Sequence, residues 1–485
     1  MTARADRPEP AGVRVSWYLT LLAATAGVAA LGFFAIAGYG QRLNAPGASF
    51  ATLQATPIGA FWSPFDLLVR LPIALAVVII ATRIVGAIVQ RVGQPAVVGE
   101  LTAGILLGPS LFGAIAPDVQ AALFPAAVLP PLSLLANVCV VLFMFIVGME
   151  LDLSAMSRRA RAALLISHAG VALPFLMGAA LALGLYSSFS GRVSFEVFAL
   201  FVGTSLAVTA FPVLARILTD YGIQRTPLGT IALSAAAIGD IAAWCLLAVV
   251  AGIARAQAGT GLVAGAGLVT TALTVAFVVA MLGVVRPVVA RLAERPMSAG
   301  SGASLLAGLL LSVTIAQGIG IHALFGAFLF GVLIPPHSPA AGAMTGRLER
   351  AVRLLLPAFF AVTGLRTEVT LISGAAAWWA FAGILAVACA GKFGGSYVAA
   401  RIAGLGGRDA VAIGALMNTR GLVELVVLNV GLSLGVISPA LFAMLVLMAL
   451  VTTAATTPVL WMLGWRPILP HGGPAGPKRI IGVHE

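Results

Sequence analysis

The chain consists of long apolar segments separated by short polar ones, and most segments have the length of a membrane-spanning helix. Such a helix needs about 20 mostly apolar residues. Strands of an outer-membrane barrel are excluded, because they alternate apolar and polar residues over about ten positions. The pattern predicts an all-α polytopic membrane protein with 13 to 14 transmembrane helices. The predicted spans lie near 16–39, 67–90, 97–115, 131–150, 162–186, 195–218, 227–252, 262–285, 301–319, 322–336, 352–368, 373–400, 410–431 and 439–464.

Composition supports this class and excludes others. The 485 residues are 60% hydrophobic and only 9% charged, with a mean hydropathy of +1.08, whereas soluble domains carry about 25% charged residues. Nucleic-acid binding is excluded as a function, because the net charge of +12 forms no basic soluble segment. Cys139, Cys245 and Cys389 all lie in apolar runs, which favours packing over disulfides or metal ligation.

The positions of the basic residues predict the orientation in the membrane. Cytoplasmic loops of membrane proteins are enriched in arginine and lysine. With a cytoplasmic N-terminus, 20 of the 28 basic residues lie inside, three lie within spans, and five lie outside. We therefore expect both termini in the cytoplasm, in a bacterial inner membrane. The first apolar stretch exceeds the 7–15 residues of a signal peptide, so it is interpreted as a retained helix.

The chain contains an internal repeat. GELTAGILLGP at 99–109 aligns with GAFLFGVLIPP at 326–336, and FMFIVGMELD at 143–152 aligns with FFAVTGLRTE at 359–368. Seven helices separate the corresponding spans, so the two units have opposite orientations, as in many transporters. Chance similarity among Gly- and Leu-rich helices is the alternative. The predicted division is an extra helix at 1–45, a first unit at 66–252, a connecting helix at 262–290, a second unit at 301–464 and a short cytoplasmic tail at 465–485.

Asp240 is the main candidate for a functional residue. It lies midway along the span 227–252, where a charge costs about 2.5–3.5 kcal/mol on insertion scales. A carboxylate in that position can hold a proton or a dehydrated monovalent cation, such as Na⁺ or K⁺, and can exchange one for the other. The alternative is a structural carboxylate paired with an arginine.

The preceding span contains Pro212, which predicts a helix broken near Thr209, although an ordinary proline kink remains the alternative. Freed carbonyls and the hydroxyls of Ser205 and Thr209 are candidate cation ligands, together with Asn418 in the second unit.

Three further charges lie inside spans. Arg420 and Glu424 stand four residues apart, where an ion pair lowers the cost of burial, and we expect it to hold the crossing of the helices in shape. Lys392 is expected to pair with Asp240 or to act in the site. The alternative is that Lys392 extends to the cytoplasmic surface.

At these residues the sequence resembles monovalent cation:proton antiporters of the second cation–proton antiporter branch, which includes Kef-type and plant cation/proton exchangers. The motifs that carry the resemblance are GELTAGILLGPSLFG (99–113), LFMFIVGMELDL (142–153), Asp240 with Ala242-Ala243-Trp244, GIHALFGAFLFGVLIP (320–335), LLLPAFFAVTGL (354–365) and MNTRGLVELVVLNVGL (417–432).

The resemblance implies a homodimer, an inverted-repeat fold and a mobile core in which broken helices at about 200–218 and 410–431 cross beside Asp240. It implies alternating access, with Asp240 releasing a proton as it takes up Na⁺ or K⁺, and no cofactor. Relatives with two adjacent acids are generally electrogenic. Because Gly239 occupies the first position here, electroneutral exchange is expected. Residues 465–485 hold no GxGxxG motif, so we expect no nucleotide-binding tail of the Kef type.

Three alternatives stay open at this point. Gly239-Asp240 is part of a GxGD motif, as in intramembrane aspartyl proteases, but position 237 is alanine and no second aspartate lies deep in a span. A cation channel is a second alternative, although the chain has no TVGYG filter. A diverged carrier of another small solute is the third.

Overall fold

The computed structural model describes residues 11–41, 43, 64–150, 160–191, 193–224, 226–258, 263–319 and 323–465. Within these ranges the protein is helical, and an isolated antiparallel bridge links Ser190 and Ile437. This confirms the predicted all-α class. The beginning of the predicted extra helix and nearly all of the tail at 465–485 lie outside the described residues.

In the first half of the chain, the described residues form ten helices. Their apolar composition and low content of charged residues make most of them suitable for a membrane interior. They are α1 Ala11–Gly40, α2 Pro64–Arg91, α3 Ala96–Leu107, α4 Phe112–Ile115, α5 Pro117–Leu123, α6 Leu129–Glu150, α7 Ala160–Phe189, α8 Phe195–Ala207, α9 Phe211–Asp220 and α10 Pro227–Ala258.

The described residues of the second half form ten more α-helices, two single π-helical turns and a short 3₁₀ helix at Val369–Leu371. One π turn, Met281–Val285, precedes Pro287, whose ring would clash with the Gly283 carbonyl in a regular α-helix. The other, Ala390–Gly394, contains Lys392. The helices are α11 Val263–Ala280, α12 Arg286–Ala293, α13 Ala299–Ile319, α14 Ala323–Val332, α15 Pro339–Leu365, α16 Gly374–Cys389, α17 Gly395–Ile402, α18 Gly407–Met417, α19 Leu422–Ser433 and α20 Pro439–Met462.

In the described part of the chain, 12 helical segments are long and apolar enough to cross a membrane. Two shorter apolar helices, Gly27–Gly40 and Ala323–Val332, lie where the first and tenth spans were predicted. The 10 residues of α14 extend only about 15 Å, half the thickness of the bilayer core. The helix is nevertheless buried, because α6 and α13 pack against it.

The helices form two packed groups. We call α7–α10 and α16–α20 the core bundle, and α2, α3, α6, α13, α14 and α15 the scaffold bundle. Contacts between the groups include those of α15 with α19 and of α3 with α20. Helix α1 packs on α7 and α8, where Phe33 lies 6.0 Å from Phe175 between ring centroids. The extra N-terminal helix therefore lies against the core bundle.

Within the scaffold bundle, the glycines of the sequence repeat lie at two close helix contacts. A methyl group on Gly104 of α3 would lie 2.2 Å from the Ala361 carbonyl oxygen of α15, and one on Gly364 would lie 2.6 Å from a backbone nitrogen of α3. In the equivalent pair, a methyl group on Gly148 of α6 or on Gly331 of α14 would lie 2.2–2.3 Å from the partner helix. Only glycine permits these approaches.

Candidate functional site

The first broken helix is formed by α8 and α9. Three non-helical residues, Val208 to Ala210, separate the two half-helices and leave two helix ends inside the protein. Pro212 lies in the first turn of α9, where its missing N–H costs nothing. The predicted break near Thr209 is therefore confirmed. The Thr209 hydroxyl is fully buried and has no hydrogen-bond partner.

The second broken helix is formed by α18 and α19, with Asn418 to Gly421 between them. The two breaks touch, because the Ala210 N–H donates to the Thr419 carbonyl oxygen at 3.2 Å. A methyl group on Gly421 would lie 2.5 Å from the Val213 side chain. The resemblance implied two broken helices that cross, and the structure contains them in adjacent positions of the core bundle.

Threonines of α20 hold the second break in place. The Thr453 hydroxyl accepts from the Arg420 N–H at 2.9 Å and donates to the Arg420 carbonyl oxygen at 2.7 Å. The Thr456 hydroxyl donates to the Ala415 carbonyl oxygen at 3.2 Å. These neutral groups satisfy backbone atoms that the break would otherwise leave unpaired in an apolar interior.

An acid occupies the corresponding place at the first break. Asp240 of α10 is only 4% exposed, and its carboxylate accepts a hydrogen bond from the Phe211 N–H at the start of α9. A helix N-terminus favours a negative group through its free N–H groups and its dipole. The second oxygen, Oδ1, is buried without a partner. The half-helix thus orients the carboxylate and leaves one oxygen available.

Arg420 forms the ion pair that its spacing predicted. Its Nη1 lies 3.0 Å from Oε1 of Glu424, and both side chains are fully buried. The same guanidinium also donates to the carbonyl oxygens of Ser205 at 3.0 Å and Leu206 at 2.9 Å. These carbonyls belong to the C-terminal end of α8, where a cation is favoured by the helix dipole. The pair therefore joins α19 to α8 across the crossing.

Lys392 also binds the C-terminal end of α8. Its ammonium donates to the carbonyl oxygens of Ala207 and, at 2.7 Å, of Gly170. The side chain is 0% exposed, so extension to the cytoplasmic surface is wrong. Among the described residues, Lys392 forms no ion pair with Asp240, although it is close enough to act on that carboxylate electrostatically. The expected direct pairing with Asp240 is thus replaced by two backbone carbonyls that the sequence did not identify.

The predicted neutral ligands differ in their hydrogen bonding. Asn418 donates weakly to the Cys389 sulfur at 3.7 Å, and its Oδ1 is buried without a partner. Ser205 donates its hydroxyl proton to the Phe201 carbonyl oxygen at 2.9 Å. Unpaired, buried oxygens thus remain on Asp240, Thr209 and Asn418. Oxygen atoms of this kind suit a proton or a hard monovalent cation, and the described residues hold no His, Cys, Asp and Glu cluster for a transition metal.

A cleft reaches the crossing from one end of the molecule. Its volume is about 700 Å³ when the open space at its mouth is included. Residues of the scaffold bundle form one wall and the start of α9 and α19 forms the other. The lining comprises Pro95, Ala96, Val97, Glu100, Phe143, Pro212, Val213, Arg216, Arg353, Leu356, Pro357, Phe360 and Leu422. Sequence reasoning missed the charged members of this lining, although Glu100 is an acid inside an apolar helix and was therefore detectable.

At the opposite end, a polar network joins the two bundles. Arg366 of α15 donates to Ser133 of α6 at 2.8 Å and to Asn429 of α19 at 3.4 Å. Asn429 in turn donates to the Thr363 hydroxyl at 3.2 Å. The protein is therefore open between its bundles at the Arg216 end and bridged at the Arg366 end.

Comparison with known proteins gives consistent matches. A family model described as sodium/hydrogen exchanger, transmembrane, matches residues 74–463. The chain is 38% identical over 393 residues to the Na(+)/H(+) antiporter NhaS4 of Synechocystis sp., an alignment that covers 79% of this chain and 95% of that protein. It is also 38% identical to Cation/H(+) antiporter 19 of Arabidopsis thaliana, with 87% of this chain and 53% of that protein covered. The chain thus spans about half the length of this plant relative.

More distant matches agree. K(+)/H(+) antiporter 1 of Saccharomyces cerevisiae is 34% identical over 76% of this chain and 42% of its own length. Among solved structures, the sodium proton antiporter MjNhaP1 from Methanocaldococcus jannaschii has the same fold, with a TM-score of 0.60 at 13% identity over 82% of this chain and 97% of that one. The chain therefore belongs to the transmembrane sodium/hydrogen exchanger family, and it is a transporter of the cation:proton antiporter class, not an enzyme.

Proposed function

We propose that this protein exchanges Na⁺ or K⁺ for protons by alternating access, with Asp240 binding the proton and the cation in turn. The observation that carries the proposal is the unpaired Oδ1 of Asp240, buried at the N-terminus of α9 inside the membrane. A carboxylate held by one oxygen and free at the other binds either a proton or a cation, but not both. Thr209 and Asn418 supply the additional oxygens that a dehydrated cation requires.

The exchange is proposed to be electroneutral. Among the described residues of the crossing, Asp240 is a carboxylate with neither an arginine nor a lysine bonded to it, whereas Glu424 is held by Arg420. Lys392 is held by two carbonyls and is proposed to keep its charge through the cycle. Loading Asp240 with H⁺ or with a monovalent cation then gives the core bundle the same net charge. Gly239 beside it adds no second acid.

We further propose that the units 66–252 and 301–464 are inverted repeats, with 262–290 connecting them. The paired contacts Gly104–Gly364 and Gly148–Gly331 support this, because each joins one repeat motif to the other in a reciprocal manner. The cleft at one end and the bonds of Asn429 to Arg366 and Thr363 at the other support alternating access, in which the two bundles move and exchange the open end.

The orientation and assembly are also proposals. The arginine-rich loops support a cleft that opens to the cytoplasm, in a bacterial inner membrane with both termini on the cytoplasmic side. A homodimer is proposed from the family resemblance.

The test uses purified protein in liposomes that carry a proton gradient and a pH-sensitive dye. Addition of Na⁺ or K⁺ is expected to dissipate the gradient, and the comparison of Li⁺, Na⁺, K⁺ and Rb⁺ gives the preferred ion. Asp240→Asn is expected to abolish the response, because an amide holds neither an exchangeable proton nor a compensating charge. Asp240→Glu is the matched control that retains the carboxylate. Wild-type protein that responds to none of the four cations, or an active Asp240→Asn variant, would refute the proposal.

A further inference from the structure

Glu100 is a carboxylate in the cleft that the transport mechanism above does not use. It lies on α3, whose twelve residues Ala96–Leu107 are otherwise uncharged. Its side chain is partly exposed and lines the cleft. The opposite wall contains Pro212 and Val213, which directly follow Phe211, the residue whose N–H binds Asp240. Glu100 therefore lies in the wall of the cleft that faces the start of α9, the half-helix whose N-terminus holds Asp240.

The contacts of Glu100 are not those of a structural acid. Among the described residues, its carboxylate forms neither a hydrogen bond nor an ion pair, whereas Glu424 is held at 3.0 Å by Arg420. A carboxylate inside a membrane protein without such a partner destabilises the fold, and packing contacts alone do not offset that cost. The absence of a partner leaves the carboxylate available for an ion from the cleft.

The charges around Glu100 are mainly positive. Arg83 of α2 and Arg216 of α9 act on it electrostatically. Arg353 of α15 lines the same cleft, and it is paired with Glu349 at 3.5 Å. The residues of α20, which also packs on α3, carry no charge. Without Glu100, a cation would enter a cleft lined by arginines.

We propose that Glu100 is the entry carboxylate of the cation path, which binds the incoming cation transiently before it reaches Asp240. This inference rests on the proposed antiport function. Glu100 offsets the positive potential of the neighbouring arginines and raises the local concentration of cations in the cleft. A unit charge at a partly solvated distance of several ångströms changes the local cation concentration about three- to ten-fold. The proton released by Asp240 leaves through the same cleft.

The proposal predicts a specific kinetic change. Glu100→Gln is expected to raise the half-saturating cation concentration about three- to ten-fold and to leave the maximal rate within about twofold of wild type. Glu100→Asp is expected to remain close to wild type, because it keeps the charge. Glu368→Gln is the matched control, since Glu368 lies after α15 near the Arg366 end, away from the cleft. It is expected to change neither quantity.

A second variant separates charge from folding. Glu100→Cys, in a chain whose three cysteines are replaced by alanine, is labelled in detergent with either an anionic sulfonatoethyl or a cationic trimethylammonioethyl thiosulfonate. The two products share one fold and differ in charge at one position. The anionic product is expected to have a half-saturating cation concentration about tenfold lower than the cationic one. Equal values for the two products would overturn the inference.

Other outcomes are equally decisive. If Glu100→Gln leaves the half-saturating concentration unchanged, or lowers only the maximal rate, Glu100 is not an entry carboxylate. Such a result leaves the antiport proposal intact, provided that the wild type responds and Asp240→Asn does not. If the wild type fails to respond to any cation, the proposed function fails first, and this is recognised without the Glu100 variants.

Discussion

Arg420 offers the sharpest test of how the helix crossing is held together. Its guanidinium donates to the Ser205 and Leu206 carbonyl oxygens and to Glu424, all within 3.0 Å and out of contact with solvent. Arg420→Ala would leave Glu424 as an unpaired buried charge and would leave the end of α8 without its cationic cap. Arg420→Lys would keep the charge but replace a planar fork with a single ammonium group, which cannot reach three acceptors in the same way.

The expected magnitudes follow from these contacts. Removal of one member of a buried ion pair costs about 3–5 kcal/mol, so Arg420→Ala is expected to be strongly destabilising. Glu424→Gln keeps an acceptor oxygen opposite Arg420 but leaves the buried guanidinium without a counter-charge, so it is also expected to cost about 3–5 kcal/mol. Arg420→Lys should cost less than either, because it keeps a positive charge opposite Glu424.

A double variant distinguishes the ion pair from the cap on α8. Arg420→Met with Glu424→Leu removes both charges and keeps similar volumes, a replacement that is often neutral for an isolated pair. Here the Ser205 and Leu206 carbonyls would still lack their donor. We therefore expect a residual loss of about 1–3 kcal/mol, the cost of leaving buried polar groups unsatisfied.

The assay is thermal unfolding in detergent, followed by tryptophan fluorescence, with all variants at one heating rate because membrane proteins unfold irreversibly. Arg401→Ala is the matched control, since Arg401 donates to the Leu405 carbonyl oxygen at 3.1 Å from an exposed position. Its apparent Tm should stay near wild type. An Arg420→Ala variant as stable as wild type would refute the reasoning. Full recovery in the double variant would refute the cap on α8.

Three further predictions follow from individual contacts. Gly421→Ala should slow transport and lower the apparent Tm, because its methyl group would lie 2.5 Å from the Val213 side chain. Gly394→Ala is the control and should do neither, since the space around Gly394 is open, and equal Tm values for the two variants would contradict this reasoning. Gly239→Asn should fold normally, because an added methyl group makes only ordinary contacts, with Ser167 at 3.5 Å and Val171 at 3.9 Å. Its transport should remain insensitive to membrane potential in a voltage-clamped liposome assay, and a wild type that fails this test would disprove electroneutral exchange. Arg366→Ala should increase labelling of a cysteine placed at Leu432, which is partly buried three residues after Asn429 on α19, because it removes the Arg366–Asn429 bond between the bundles. Unchanged labelling would show that this bond does not hold that end closed.

Much of the architecture follows from the sequence because the bilayer constrains it so strongly. Backbone groups inside lipid must be satisfied within each helix, so apolar segments of the right length predict the spans almost directly. The short tenth span is an informative exception. Helix α14 has only 10 residues, and it is buried because it packs against α6 and α13.

The candidate site was partly predictable for a related reason. Charges are so costly within spans that Asp240, Lys392, Arg420 and Glu424 stand out in a sequence with few charged residues. The i,i+4 spacing was enough to predict the Arg420–Glu424 pair, because both residues share one local segment. The break near Thr209 was predictable because Pro212 cannot continue a regular helix.

The sequence did not determine which partners the other helices supply to these charges. Lys392 bonds to carbonyls of Gly170 and Ala207, which lie 222 and 185 residues away in the chain. No local pattern encodes such a contact, because it depends on where the break places the end of α8. Glu100 gains its position in the cleft for the same reason. The sequence alone thus determined which charges enter the membrane and where the helices break. Only the tertiary structure decided which helix end each charge stabilises, because buried charges pair with whatever groups the packing brings within reach.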